Sequence, residues 1–291
     1  MAEQPPPLVK AFLDSDSSTF SYVVYDRPGG AAVVIDPVLD FDYKSGRTRT
    51  DTVQQLVDFI REQGLTLHWI LETHAHADHL SAAPFIRERL GGRIGIGEHI
   101  REVQRIFKQV FDLEDAFQPD GSQFDHLFGD GDGFEAGELG FRVMHIPGHT
   151  PADLAYIINE QAAFVGDTLF MPDVGTARCD FPGGSAARLY RSIHRLLALP
   201  ESTALYVCHD YPKGGREHRC LTTVAEQKCY NIHLRGGVGE AEFVKMRSER
   251  DATLELPRLI IPAIQVNIRA GSMPPADEQG KVYLKIPIDQ L

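Results

Sequence analysis

The stretch Thr73-His74-Ala75-His76-Ala77-Asp78-His79 puts three imidazoles and a carboxylate within six residues. Crowded together, these groups repel one another when charged or leave lone pairs idle when neutral, and a bound transition metal gives all of them a use. Just before them, residues 67–72 form a short apolar and aromatic run, the pattern of a buried strand. Behind them, residues 80–90 read as a helix stopped by Gly91-Gly92. The histidines therefore occupy a strand-to-helix loop at the carboxyl end of a strand, where α/β sheets carry their chemistry.

The same logic recurs along the chain. Residues 20–25 and 31–35 read as strands flanking the turn Pro28-Gly29-Gly30. Residues 52–62 read as a helix, with apolar side chains at 53, 56, 57 and 60, Asp51 as its N-cap and Gly64 as its stop. Residues 141–146, 154–158, 162–165 and 204–207 read as further strands, and 185–199 as a helix. Strands leading into helices on both flanks imply a layered α/β sandwich. Three of these strand ends offer more ligands: His149 in Pro147-Gly148-His149-Thr150-Pro151, Asp167 in Val165-Gly166-Asp167-Thr168, and His209 in Val207-Cys208-His209-Asp210-Tyr211. A sheet can gather such residues at one end although they lie far apart in sequence.

The chain has 291 residues, 43% of them hydrophobic, enough for a substantial core. No apolar run reaches the roughly 18 residues that cross a membrane. Residues 1–12 carry neither a signal-peptide nor a transit-peptide pattern, so a cytoplasmic location is expected. A formal net charge of −12 argues against a broad nucleic-acid or anionic-membrane surface, and a small anionic substrate would need a local basic pocket. Cys179, Cys208, Cys220 and Cys229 form no close pair, which suits a reduced chain. Cys208 reads as a buried inert thiol, whereas Arg178 beside Cys179 could lower its pKa. From Arg258 onward, β-like runs at 259–268 and 281–286 alternate with Gly271, Pro274 and Pro275. This tail reads as a lobe on the core, dividing the chain into a core over 1–211 and a C-terminal part over 212–291 packed on it.

The order His-x-His-x-Asp-His, Pro-Gly-His-Thr, Gly-Asp-Thr and Cys-His-Asp-Tyr resembles the metallo-β-lactamase superfamily, over roughly residues 20–211. The resemblance implies an α/β fold, an αββα sandwich with a C-terminal extension and a metal site in the cleft between two sheets. In hydrolytic members such as glyoxalase II, seven ligands hold two metals; carried over, they are His74, His76, Asp78, His79, His149, Asp167 and His209, with Asp167 bridging. Gly175-Thr176-Ala177-Arg178-Cys179-Asp180-Phe181 and His209-Asp210-Tyr211 look instead like the persulfide dioxygenase (ETHE1-like) branch, and residues 264–271 and 283–287 resemble its longer bacterial form. A glyoxalase II usually ends in a helical substrate domain, which this proline-broken tail does not suggest.

That branch implies one Fe(II) per chain, held by His74, His149 and Asp167. Such a triad leaves three positions open, as a metal that must hold both O2 and a sulfur requires. His76, Asp78, His79 and His209 would orient the ligands without touching the metal. The implied substrates are glutathione persulfide and O2, the products sulfite and glutathione. Glutathione carries two carboxylates, for which Arg178, Lys213 and Arg216 are the candidate cations. Arg178 matches the branch pattern, its alternative role being an ion pair with Asp173 or Asp180. Tyr211 would point its hydroxyl at the open metal positions or pack. The competing reading is a dizinc thioester hydrolase of the glyoxalase II kind. Homodimer formation and whether the insert at 109–132 covers the cleft are left open.

Overall fold

The computed structural model describes residues 6–290. Along the chain run β1 (Leu8–Asp14), β2 (Thr19–Tyr25), β3 (Ala31–Ile35), β4 (Val38–Asp42), β5 (Arg47–Arg49), α1 (Asp51–Glu62) and β6 (Thr66–Leu71). After the histidine-rich stretch come β7 (Leu80–Ser81), α2 (Ala83–Leu90), β8 (Arg93–Gly97), α3 (Ile100–Val110) and β9 (His126–Phe128). The second half holds β10 (Gly133–Ala136), β11 (Leu139–His145), β12 (Leu154–Ile158), β13 (Ala162–Phe164), α4 (Ala186–Leu197) and β14 (Ala204–Tyr206). It ends with β15 (Leu221–Thr223), α5 (Val224–Tyr230), α6 (Glu240–Asp251) and α7 (Ile260–Asn267).

Strands β2 and β3 are buried along almost their whole length because each face meets a different layer. Val23, Ala32 and Val34 share a core with Leu56, Ile86 and Phe107 of helices α1 to α3. Tyr22, Val24, Val33 and Ile35 point the other way and pack with Phe141, Tyr156 and Phe164 of the second sheet. The far face of that sheet, with Ile157, Ala163 and Leu205, is covered by Leu189 and Ile193 of α4 and Phe243 of α6. The layers are therefore α, β, β, α, as expected. The first sheet runs β1-β2-β3-β6-β8-β9 and the second β10-β11-β12-β13-β14-β15. β7 leaves the main sheets to pair with β4, in a small third sheet with β5.

Several local expectations are corrected. Residues 80–90 are not one helix: Leu80–Ser81 forms β7, and α2 starts at Ala83, with a proline in its first turn. Asp51 is not the N-cap of α1 but its first residue. The helix start is held by Asp40 of β4, which accepts from the Thr52 N–H at 3.0 Å and the Thr52 hydroxyl at 2.6 Å. Residues 259–268 contain α7 rather than a strand, for a short apolar run does not reveal its period. Pro262 is tolerated because it lies in the first turn, whose N–H groups have no helical partner. Residues 281–286 form no strand either; the Gln265 carboxamide holds the Lys285 backbone from both sides at 2.9 Å. With α5, α6 and α7 the C-terminal part does carry helices, so the expected lack of a helical end no longer separates the two branches. The boundary expected at 211 falls between β14 and β15, two paired strands of one sheet. Among the described residues, no helix is long and apolar enough to cross a membrane.

Candidate metal centre

Four strand ends deliver the candidate ligands to one end of the sandwich. His74 follows β6, His149 follows β11, Asp167 follows β13 and His209 follows β14. β13 and β14 run parallel, which brings Asp167 and His209 out on the same side. The Leu154 N–H donates to the Thr73 carbonyl at 2.9 Å, tying the histidine-rich stretch to the second sheet. Gly166 takes φ +49°, and a Cβ there would stand 2.7 Å from the Thr73 hydroxyl, so the turn before Asp167 requires glycine.

Hydrogen bonding fixes which nitrogen each imidazole presents. The Thr73 hydroxyl donates to Asp36 Oδ2 at 2.9 Å, so it must accept from His74 Nδ1 at 3.0 Å, leaving Nε2 as the lone pair. His149 Nδ1 lies 2.8 Å from the Arg178 carbonyl, which can only accept, so its Nε2 is bare as well and lies 3.7 Å from Asp167 Oδ2. His209 Nδ1 faces the Ser18 carbonyl at 3.3 Å, and its Nε2 sits between Asp167 Oδ1 at 3.2 Å and Asp78 Oδ2 at 3.4 Å. His79 Nδ1 lies 3.3 Å from Asp78 Oδ2. His76 lies between His74 and His79, its ring tilted to both, with centroids 4.0 and 4.1 Å away.

The result is a set of buried atoms with nothing to bond. His74 Nε2, His76 Nδ1 and His79 Nε2 have no hydrogen-bond partner, whereas His76 Nε2 faces Asp36 Oδ1 at 3.0 Å and His209 Nε2 faces Asp167 Oδ1 at 3.2 Å. Each such orphan costs about 1–3 kcal/mol, which coordination to a cation removes. A mixed imidazole and carboxylate donor set suits iron or zinc. The ligand atoms of His74, His149 and Asp167 all lie within 4.8 Å of one another, and so do those of Asp78, Asp167 and His209. Asp167 belongs to both groups, so the residues fit one metal or a bridged pair.

Electrostatics follow from burial. Burial, then the neighbouring imidazoles, holds His74 and His76 well below the ordinary histidine value, so both present lone pairs. Burial alone would lower His209 too, but the carboxylates of Asp167 and Asp78 override it and push it up to about 10. For Asp78, burial is outweighed by His209 and His79, which hold its carboxyl well below the usual range.

A cleft of about 440 Å³ opens over Asp78, His149 and Asp167, a size that suits a small-molecule ligand. Phe170 and Val174 supply apolar wall, and Tyr211 and Lys213 line it. The Tyr211 ring stacks on His209 at 5.8 Å. Arg178 also lines the cleft, but its guanidinium makes two 2.6 Å bonds to Asp180, the ion-pair alternative weighed from the sequence. Arg216 does not reach the cleft and is bonded instead to Asp173 and Asp210. No residue of 109–132 lines it, because Phe117 and Phe124 are buried in the core under α3. Cys179 is not activated: burial, then Asp251, pushes its thiol up. Cys208 is buried, and among the described residues the cysteines are free.

Sequence reasoning missed the supports of this site. Asp36 accepts from both the backbone and the hydroxyl of Thr73, and it follows a strand just as Asp167 does, a signal that was present. The Thr19 hydroxyl lies within 3.2–3.5 Å of Asp78, His79 and His209 and carried no signal. Asn267 of α7 donates to the carbonyls of His76 and His79, and Arg247, Arg250 and Arg258 line the cleft.

Residues 15–209 match the profile of the Metallo-beta-lactamase superfamily. A probable metallo-hydrolase of Burkholderia pseudomallei is 51% identical over 97% of this chain and 99% of its own. The mitochondrial persulfide dioxygenase ETHE1 of Homo sapiens is 30% identical over 93% of this chain and 91% of its own. The crystal structure of ETHE1 from Myxococcus xanthus superposes with a TM-score of 0.72 at 30% identity, covering 91% of this chain and all of that one.

Proposed function

Because the chain belongs to the metallo-beta-lactamase superfamily, we propose that it is an iron(II)-dependent persulfide dioxygenase acting in sulfide detoxification. It converts glutathione persulfide, O2 and water into glutathione and sulfite. The observation that carries this reading is the grouping of His74, His149 and Asp167 within 4.8 Å, with His149 and Asp167 at the cleft. The likeness to persulfide dioxygenases over nine-tenths of the chain supports it. Bound by that triad, iron(II) supplies the electron chemistry that lets O2 react with a sulfur, chemistry no side chain can provide.

The protein's part is orientation. Arg178 O and Thr73 Oγ1 set the tautomers of His149 and His74, so both face inward with lone pairs. Asp78, at the cleft beside the triad, and His79 are joined to His209 through the Thr19 hydroxyl. Phe170 and Val174 exclude water from the cleft wall, which protects a reactive persulfide from hydrolysis. Tyr211 stands at the mouth, placed to border the bound sulfur.

The second reading, a dizinc thioester hydrolase of the glyoxalase II kind, is favoured by the group Asp78, Asp167 and His209 and by the name of the Burkholderia relative. Metal analysis of protein purified without added zinc, joined to oxygen uptake with glutathione persulfide, separates the two. One iron per chain with uptake is expected. Two zincs per chain, no uptake and hydrolysis of a glutathione thioester would overturn the dioxygenase reading.

A further inference from the structure

A second cavity, of about 80 Å³, also reaches His149. It shares Ala77, His149, Arg178 and Pro257 with the main cleft, but Asp78, Asp167 and Tyr211 line only the larger one. The rest of its wall is Asp180, Phe181, Pro182, Leu256 and Ile260. Phe181 closes the Arg178–Phe181 segment, and the function above leaves its ring without a task. The ring is buried and fixed, with its centroid 5.3 Å from that of Phe107 in the core and 6.1 Å from that of His149. Ile260, the first residue of α7, is buried in the same core. Leu256 is 51% exposed, so the cavity meets solvent there.

The polar groups in this wall are engaged with one another. The Arg178 guanidinium makes two 2.6 Å bonds to Asp180, occupying both carboxylate oxygens, and a third to the Glu255 carbonyl. His149 Nδ1 is turned to the Arg178 carbonyl at 2.8 Å. A charged ligand therefore finds no free counter-charge, and an ordered water lacks the roughly two to four polar partners it needs. An apolar occupant of a few heavy atoms suits such a space. Glutathione persulfide is charged and too large for it, whereas the main cleft of about 440 Å³ can take a molecule of that kind. O2 is small, uncharged and apolar.

We propose that the smaller cavity is the O2 subsite of this chain. O2 leaves water at Leu256, rests against Phe181 and Ile260, and reaches the His74, His149 and Asp167 triad at His149. The identity of the occupant rests on the dioxygenase reading above; the apolar cavity rests on its lining. Separate entries let O2 arrive while the persulfide fills the main cleft, which a single mouth would obstruct. The Arg178 and Asp180 pair then serves as the partition between the two spaces, for Arg178 lines both.

Xenon is the probe, because it enters dry apolar cavities and needs no metal or turnover. Added to the metal-free full chain, it should shift the methyl resonances of Leu256 and Ile260. Leu256→Trp covers the mouth from an exposed position that leaves the core untouched, and Ile260→Phe fills the interior. Each should abolish the xenon shift of the remaining methyl group. In the iron-loaded enzyme each should lower kcat/KM for O2 about threefold or more and leave KM for glutathione persulfide unchanged. Leu254→Trp, at an exposed position that lines only the main cleft, should do the reverse, raising KM for the persulfide while xenon binding and the O2 dependence stay as in wild type. If Ile260→Phe fails to fold, Leu256→Trp decides. Absence of a xenon shift in wild type, or an unchanged kcat/KM for O2 in a variant that has lost the shift, would overturn the subsite while oxygen uptake by wild type kept the dioxygenase reading. A xenon shift without any oxygen uptake would refute that reading, and with it the assignment of O2 to the cavity.

Discussion

Asn267 is where the C-terminal part braces the metal loop, and its removal has a calculable effect. The side chain is buried, donates to the carbonyls of His76 at 2.9 Å and His79 at 2.8 Å, and accepts from the Ser81 N–H at 2.8 Å. Asn267→Ala strands three buried backbone groups. At about 1–1.5 kcal/mol each, the loss is about 4 kcal/mol, a large share of an ordinary domain's stability. A chain of this length has an unfolding entropy of about 0.6 kcal/mol/K, so scanning calorimetry in chelator should show Tm lower by roughly 6 °C. Because the loop carries His74 and its companions, chelator competition should also show metal affinity reduced at least tenfold, the usual scale for ligand-orienting groups. Asn267→Asp keeps an acceptor for Ser81 but turns an oxygen toward two carbonyls, and should be at least as harmful. A Tm within about 2 °C of wild type together with unchanged metal affinity in Asn267→Ala would refute the reasoning, as would full rescue by aspartate.

Replacing His74, His149 or Asp167 by Ala should abolish iron binding measured by plasma emission, whereas His209→Ala should keep iron and lower turnover about 10–100-fold. If His209→Ala strips metal as thoroughly as His149→Ala, the single-metal assignment fails. Arg247→Met leaves the buried Asp251 carboxylate unpaired and should cost about 3–5 kcal/mol in urea unfolding, much of it recovered by adding Asp251→Leu. No difference between single and double variants would count against the buried pair. His233 has its native pKa lowered to about 4 from 6.5, so its contribution to stability is full above pH 6.5 and lost as pH falls from there toward 4. Urea midpoints at pH 7 and pH 5 should therefore converge more closely in His233→Gln than in wild type, and an equal fall in both would exclude this histidine as a cause.

Much of the sandwich was legible because its strands are short apolar runs ended by turn residues: β3 and β12 were found to the residue. The reading failed where a partner distant in sequence decides the outcome. Leu80–Ser81 becomes a strand because β4 is there to pair with it, and α1 starts where Asp40 can receive the Thr52 N–H. The apolar tail 259–268 is helical because Ile260, Ile264 and Ile268 face the core beside the first-layer helices, while Leu259, Ala263 and Val266 pack on Leu80. A run buried on both sides has no visible period.

The histidine-rich stretch and its three strand-end companions were determined by sequence alone, because metal binding needs particular donor atoms and those are written in residue type. Which nitrogen each histidine offers, and which cations stay free, was decided only by the tertiary structure. Thr73 and Arg178 O choose the tautomers of His74 and His149, Asp180 and Asp251 neutralise two of the cleft's arginines, Arg178 and Arg247, and Asp173 and Asp210 hold Arg216 outside it. Hydrogen bonds and ion pairs act over about 3 Å, so they depend on which groups folding brings together, whatever their separation along the chain.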